Sequence, residues 1–289
     1  MGTAYKRQHY LPAGYLKYFS IDQTDCERDS WLWRFDGQTQ CRVTVESQCA
    51  SNFHYSKEDP ASAEKTFHDG EGRYCKCVDK IKKGLVLTNR ESGGLLANLF
   101  DFYIRNAVHK NETGKEGIEA YRKRVRIFYS QILLKKTENI TEHDIRNHIA
   151  RQWRLEIVSV PFGRGMITSD NPSVWTAISD RQPGLHLLTL PITPTQIAVA
   201  ADIRFVRILP GQMSEPDYLT LMDSQMHNAV SSIYSSIDFT PEIMAIAKNR
   251  FSMKKGFDCY VNEASWKTTF ARLEPEHYFS FMQIPPPLM

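Results

Sequence analysis

LHLLTLPITPTQIAVAA, residues 185–201, is the stretch whose reading sets the fold class. It holds two apolar runs, Leu185–Leu190 and Gln196–Ala201, separated by Pro191 and Pro194. Each run has strand length and falls short of a helix. Neither alternates between apolar and polar, which predicts central strands buried on both faces. The two prolines, poor ladder donors, predict the break between them.

Working outward, more strands precede this pair. Leu155–Val160 and Gly165–Thr168 read as strands joined by the turn Pro161-Phe-Gly-Arg-Gly165. Near the N-terminus, Trp31–Phe35 and Cys41–Val45 flank Asp36-Gly37, a hairpin signal. The middle is helical. Residues 61–83 read as a helix weakened by Gly70 and Gly72, each costing about 1 kcal/mol against alanine. Leu95, Leu99, Phe102 and Asn106 recur at helical spacing, as do Ile118, Tyr121, Val125, Phe128 and Ile132 in the segment 117–136. Thr141-Glu-His-Asp144 fits a capping box opening a helix to about Ala150. Ser214 as cap, Pro216, and a stripe from Leu219 through Ile233 predict a long helix, and Thr240-Pro241 opens another.

The expected class is therefore α+β. A small N-terminal β element (about 28–47) leads into a helical middle (about 61–153). A C-terminal mixed or antiparallel sheet with a long packing helix follows (about 154–272), and residues 284–289 form a tail. No linker composition interrupts the chain, so a single compact domain over 1–289 is expected.

Composition narrows the function. The 289 residues are 42% hydrophobic, enough for a sizeable core, with net charge +3. That mild bias admits an anionic partner without implying one. No apolar run approaches ~20 residues, and no apolar leader opens the chain, so no membrane partner is expected. The six cysteines include no CxxC pair, which argues against zinc and for reduced thiols in the cytoplasm. No Walker loop, GxGxxG or GxSxG occurs, so no nucleotide-cofactor motif is present.

Four constellations carry chemistry. RQHYLPAGYLKYF, residues 7–19, places His9 and Tyr10 in an aromatic segment too apolar to fray. Histidine suits acid–base work, and equally serves as a satisfied core residue. Thr168-Ser-Asp-Asn-Pro172 sets a hydroxyl, a carboxylate and an amide at a strand end, and is also good turn chemistry. Ser-Asp-Asn occurs in penicillin-recognising enzymes too, but no Lys-Thr-Gly follows here, and the match fails. Glu64, His68 and Glu71 share a helical face at metal-ligand spacing, a pattern that a solvated face also gives. Arg122, Lys123, Arg124 and Arg126, interleaved with aromatics, suit a phosphate backbone or a solvated face.

Together these strings resemble a widespread, mainly bacterial family of unknown function, marked by a His-Tyr-Val-Pro motif. Here it stands as His9-Tyr10-Leu11-Pro12, then Tyr15-Leu16 and Phe19. Leu32–Asp36, Asn52–Tyr55, Glu71 with Glu64 as its rival, the helix Leu95–Arg105, Ile167–Pro172, and Asn228–Ser235 follow in the family's order. Two glycines flank Glu71, and the family's Gln-x-x-Arg before Arg105 is missing. The resemblance implies one site built from His9-Tyr10 and Ser169-Asp170-Asn171.

The resulting expectation is an intracellular hydrolase, phosphodiesterase- or nuclease-like, with nucleic acid or a nucleotide as substrate. His9 is its general acid or base, and Asp170 orients His9 or holds a divalent metal. Glu71 is the second carboxylate. Tyr10, Ser169, Asn171 and Asn228 position the substrate, and Arg105 or Arg122, Lys123 and Arg124 meet a phosphate. The alternative is a non-catalytic binding or regulatory module, docking a protein partner in one version. Its His-Tyr and Ser-Asp-Asn residues form a structural hydrogen-bond network.

Overall fold

A computed structural model gives the architecture. It describes residues 7–22, 29–52, 60–105, 117–129, 134, 142–178, 186–253, 260–261, 266–267, 270–273 and 279–283. The elements run β1 (Arg7–His9), α1 (Ala13–Leu16), β2 (Trp31–Phe35), β3 (Gln40–Thr44) and β4 (Ala50–Asn52). Helices α2 (Pro60–Lys82), α3 (Asn89–Ile104), α4 (Gly117–Ile127) and α5 (Glu142–Gln152) form the middle. Then come β5 (Trp153–Ser159), β6 (Thr168–Ser169), β7 (Val174–Ile178), β8 (His186–Thr193), β9 (Gln196–Asp202), β10 (Arg207–Ile208) and β11 (Gly211–Gln212). The chain continues with α6 (Glu215–Asn228), β12 (Ile233–Ser235) and α7 (Pro241–Met253). It closes with β13 (Tyr260–Val261), β14 (Trp266–Lys267), β15 (Phe270–Leu273) and β16 (Met282–Gln283). The class is α+β.

The quoted stretch is the centre of a six-stranded mixed sheet, ordered β11-β5-β9-β8-β7-β15. Its largely apolar character has a direct cause. Leu188, Leu190, Ile192, Ala198 and Ala200 face one core with Trp175, Leu99 and Phe100. Leu187, Ile197, Val199 and Ala201 face a second core with Leu221, Met222 and Met226 of α6. A strand covered on both faces selects apolar residues along its length, with Thr189 as the buried polar exception in mid-strand.

Pro191 does not end its strand as expected. β8 runs through it to Thr193, with a register irregularity between Pro191 and Thr193. The pairing of β8 with β7 stops at Val174↔Thr189, so Pro191 lies beyond that neighbour. Its carbonyl is taken instead by the Tyr15 hydroxyl at 2.8 Å. A proline at a bulge, with its second neighbour absent, costs no ladder bond.

The N-terminal hairpin also differs from expectation. β2 and β3 pair from Trp31↔Thr44 to Phe35↔Gln40, as the Asp36-Gly37 signal predicts. They do not stand alone. β12 and then β6, drawn from about 130 to 200 residues later, complete a four-stranded antiparallel sheet, β3-β2-β12-β6. The strand expected at Gly165–Thr168 is the two-residue β6 of this second sheet.

Among helices, α2 is unbroken despite Gly70 and Gly72. Its buried stripe, Phe67, Tyr74, Val78 and Ile81, bypasses both glycines. Tertiary burial of that stripe outweighs their propensity cost. α6 begins as expected, with a capping box between Ser214 and Asp217. It stops at Asn228 rather than continuing to Ile233, which lies in β12. Lys135, Lys136, Asn106, Ile132 and Thr141 lie outside the described residues.

Candidate functional site

The Thr168–Ser173 segment leaves β6 and threads between β12 and the end of α6. Asp170 is 1% exposed. Its Oδ1 accepts the Val230 N–H at 2.7 Å. Its Oδ2 accepts the Ser231 N–H at 2.9 Å and the Ser231 hydroxyl at 2.6 Å. These bonds explain why α6 ends where it does: a carboxylate 60 residues upstream captures the next two backbone donors.

The flanking residues interlock. Asn171 Nδ2 donates to the Asn228 carbonyl at 3.2 Å, and Asn228 Nδ2 returns a bond to the Asn171 carbonyl at 2.6 Å. The Ser169 hydroxyl donates to Gln225 Oε1 at 3.3 Å, while Gln225 Nε2 donates to the Pro172 carbonyl at 2.8 Å. Ser173 Oγ reaches the Leu99 carbonyl on α3 at 2.9 Å. All these residues are buried.

The opening segment docks beside this clasp. Tyr15 donates to the Pro191 carbonyl, so Thr168 Oγ1, 2.6 Å away, is the donor to the Tyr15 oxygen. The Tyr10 N–H donates to the Cys49 carbonyl at 2.9 Å, and Cys49 Sγ lies 3.4 Å from the Tyr234 hydroxyl. Cys49 has φ of 51°, a left-handed conformation that turns its carbonyl toward β1. The Tyr10 and Tyr234 phenols are pushed well above their ordinary pKa, first by burial, then by Cys49 and Asp170. Both hydroxyls therefore stay protonated.

His9 turns elsewhere. Its Nε2 donates to the Glu46 carbonyl at 3.2 Å, which fixes a proton on that nitrogen. Its backbone carbonyl accepts Arg105 Nη2 at 2.8 Å. Arg105 is the hub of a second cluster. At the C-terminal cap of α3 and only 2% exposed, it donates from Nη1 to Glu71 at 2.8 Å and to Asp101 at 3.3 Å. Its guanidinium lies 4.0 Å from the Phe67 ring centroid. Asp101 also accepts the Tyr121 hydroxyl at 2.5 Å. Burial pushes the Asp101 carboxyl up from its ordinary pKa. Arg105 and Tyr121 pull it down, and Glu71 adds to the rise.

Two groups therefore emerge from the expected site. Arg105 brings Glu71 to the backbone of His9, while Asp170, Ser169, Asn171 and Asn228 form the clasp. Tyr10, next to His9 in sequence, lies between these groups. Glu64's side chain lies outside the described residues, and the ion pair falls on Glu71. The basic stretch divides: Arg122 and Lys123 are exposed, Arg122 paired to Glu119 at 2.5 Å, and Arg124 is buried. Among the described residues no group of three or more His, Cys, Asp or Glu is placed to hold a metal ion. Sequence reasoning placed Tyr121 in the α4 stripe beside the basic run, and missed Asp101, Phe67, Cys49 and Gln225. Helical spacing contained a signal for three: Asp101 is four before Arg105, Phe67 four before Glu71, and Gln225 three before Asn228.

Comparison with known families covers both groups at once. The model described as "Protein of unknown function (DUF4238)" matches residues 7–236. The chain belongs to this family. No curated protein and no solved structure matches it. The DUF4238 match opens on β1 and closes just after β12. It spans Tyr10, the Arg105 cluster, the Asp170 clasp and Tyr234, and leaves α7 and the strands after it outside. No described helix is long and apolar enough to cross a membrane.

Proposed function

We propose that the chain is a non-catalytic binding or regulatory module whose His-Tyr and Ser-Asp-Asn residues serve as scaffold. One observation carries this reading: the buried Asp170 carboxylate spends both oxygens on Val230 and Ser231. A catalytic carboxylate needs a face open to substrate or metal. Arg105, neutralised by Glu71 and Asp101, is likewise engaged within the fold. Ligand contact then falls to the half-exposed rim formed by His9, Glu71 and Tyr121, with exposed Arg122 and Lys123 nearby in sequence on α4. These cations make nucleic acid or a nucleotide the favoured partner class, with an acidic protein surface as the other. The place of work in this reading is the cytoplasm, in keeping with Cys41, Cys49, Cys75 and Cys77 standing outside any disulfide.

The hydrolase reading retains one supporting observation. Glu71 and Asp101 flank Arg105, and the Asp101 carboxyl has a raised pKa, as an acid catalyst requires. In that version Asp101 takes the role first expected of Asp170. The deciding assay uses bis(p-nitrophenyl) phosphate and single-stranded DNA, with and without magnesium or manganese. The expected result is no turnover above buffer by the wild type. Turnover abolished by His9→Ala or Glu71→Gln, at an unchanged melting temperature, would overturn the non-catalytic reading.

A further inference from the structure

The turn joining α2 to α3 sends Leu87 against the core but not the two aliphatic residues before it. α2 ends in a Schellman motif: Gly84, at φ of 69°, donates to the Ile81 carbonyl at 2.9 Å, and Leu85 donates to the Lys80 carbonyl at 3.0 Å. Such a motif usually tucks the residue after the glycine against an apolar side chain one turn back. Here that position is Lys80, already paired with Glu91 at 2.5 Å. Leu85 is left 54% exposed and Val86 89% exposed. Two residues later the capping box of Thr88 and Glu91 starts α3. Two adjacent aliphatic side chains are thus held outward between two fixed helix ends.

The surroundings are basic. Lys82, Lys83 and Arg90 are exposed around the tip. Lys17 joins them, its Nζ 5.4 Å from the Tyr18 ring centroid and that of Lys82 5.6 Å from the same ring. Two carboxylates also lie nearby, the exposed Asp79, which accepts the Tyr18 hydroxyl, and Glu91, which accepts from Lys80 and Thr88, so the cations outnumber them. Contacts from Lys80–Glu91 back to Glu71–Arg105 make α2 and α3 an antiparallel hairpin. The tip therefore lies about 24 Å along α3 from the Arg105 cluster.

We infer that this tip docks the protein onto an anionic lipid surface. Lysine and arginine meet the headgroups while Leu85 and Val86 enter the apolar layer beneath them. The sequence argument against a membrane concerned spanning, and a surface makes no such demand. Nucleic acid fits less well, since two aliphatic side chains would stay in water beside phosphates with no exposed ring to stack on a base. A second copy fits less well too: two side chains cover far less than the ~800 Å² per partner of a stable interface, and the cations would repel. The inference does not depend on the reading of the Arg105 rim.

The test is co-sedimentation of the full chain with vesicles of phosphatidylcholine, alone or mixed with phosphatidylserine. Binding is expected only to the mixed vesicles and is weakened by salt. Leu85→Ser with Val86→Ser, and separately Lys83→Gln with Arg90→Gln, should each reduce partition by roughly tenfold. Melting temperatures, read by circular dichroism, should be unchanged, because none of the four side chains is in the core. Failure to bind mixed vesicles overturns the inference. So does binding that duplex DNA competes away and that Leu85→Ser with Val86→Ser leaves intact.

Discussion

Asp170 is a residue whose chemistry depends on what it already touches. A lone carboxylate at a strand end invites a catalytic role. One that accepts two backbone N–H groups and a hydroxyl while 1% exposed is a helix stop and a strand anchor. Asp170→Asn presents a donor where Ser231 also donates, leaving buried groups unmatched. The expected cost is about 3 kcal/mol, at the upper end for hydrogen bonds to a charge. Urea denaturation measures it, and a variant within error of wild type would remove the scaffold role. The letters Ser-Asp-Asn were visible in the sequence, but their partners were not. Val230 and Ser231 lie 60 and 61 residues away, and nothing in their side chains advertises a backbone donor.

At the scale of elements, local signals were read well where local physics decides. The Asp36-Gly37 hairpin, the Ser214 cap and the two-faced strands of 186–201 follow from turn chemistry, capping and burial. Elements fixed by distant contacts were misread, as where Tyr15 carries β8 through Pro191 and Asp170 shortens α6. The start of α3 was missed although Thr88 and Glu91 spell a capping box. Its apolar stripe begins only at Leu95, so the polar first turn gave no periodicity. Thr88→Ala should cost about 1 kcal/mol, read from the urea midpoint. Glu91 adds a pH signature. Hydrogen bonds from Lys80, then from Thr88, hold its pKa down from 4.5 to about 2. The unfolded chain therefore binds the proton first as pH falls, and this contribution, complete above pH 4.5, is lost down to about pH 2. Stability curves of wild type and Glu91→Gln should converge across that window. Parallel curves would show that Lys80 does not hold the Glu91 carboxylate in its charged form.

On the scale of the whole molecule, residues far along the chain hold the N-terminal segment, and two of these ties stand beside that of Tyr18 to Cys75 and Asp79. Tyr15 ties α1 to β6 and β8, and Arg105 ties the end of β1 to α2 and α3. The second tie is the more exposed to failure, because β1 has three residues and, among the described residues, pairs only with β4. Arg105→Met removes the donor to the His9 carbonyl and leaves Glu71 and Asp101 facing each other without their cation. The two carboxylates left behind are part-exposed, so the cost should fall below the about 3–5 kcal/mol of a fully buried pair. Some of that loss should fall locally, as faster amide exchange at residues 7–10, while β8 and β9 keep their protection. Adding Asp101→Leu removes the stranded charge as well, so the double variant should recover part of the stability without restoring protection to β1. Unchanged exchange at residues 7–10 in Arg105→Met would show that the aromatic packing of Tyr10, Tyr15 and Phe19 holds the terminus unaided.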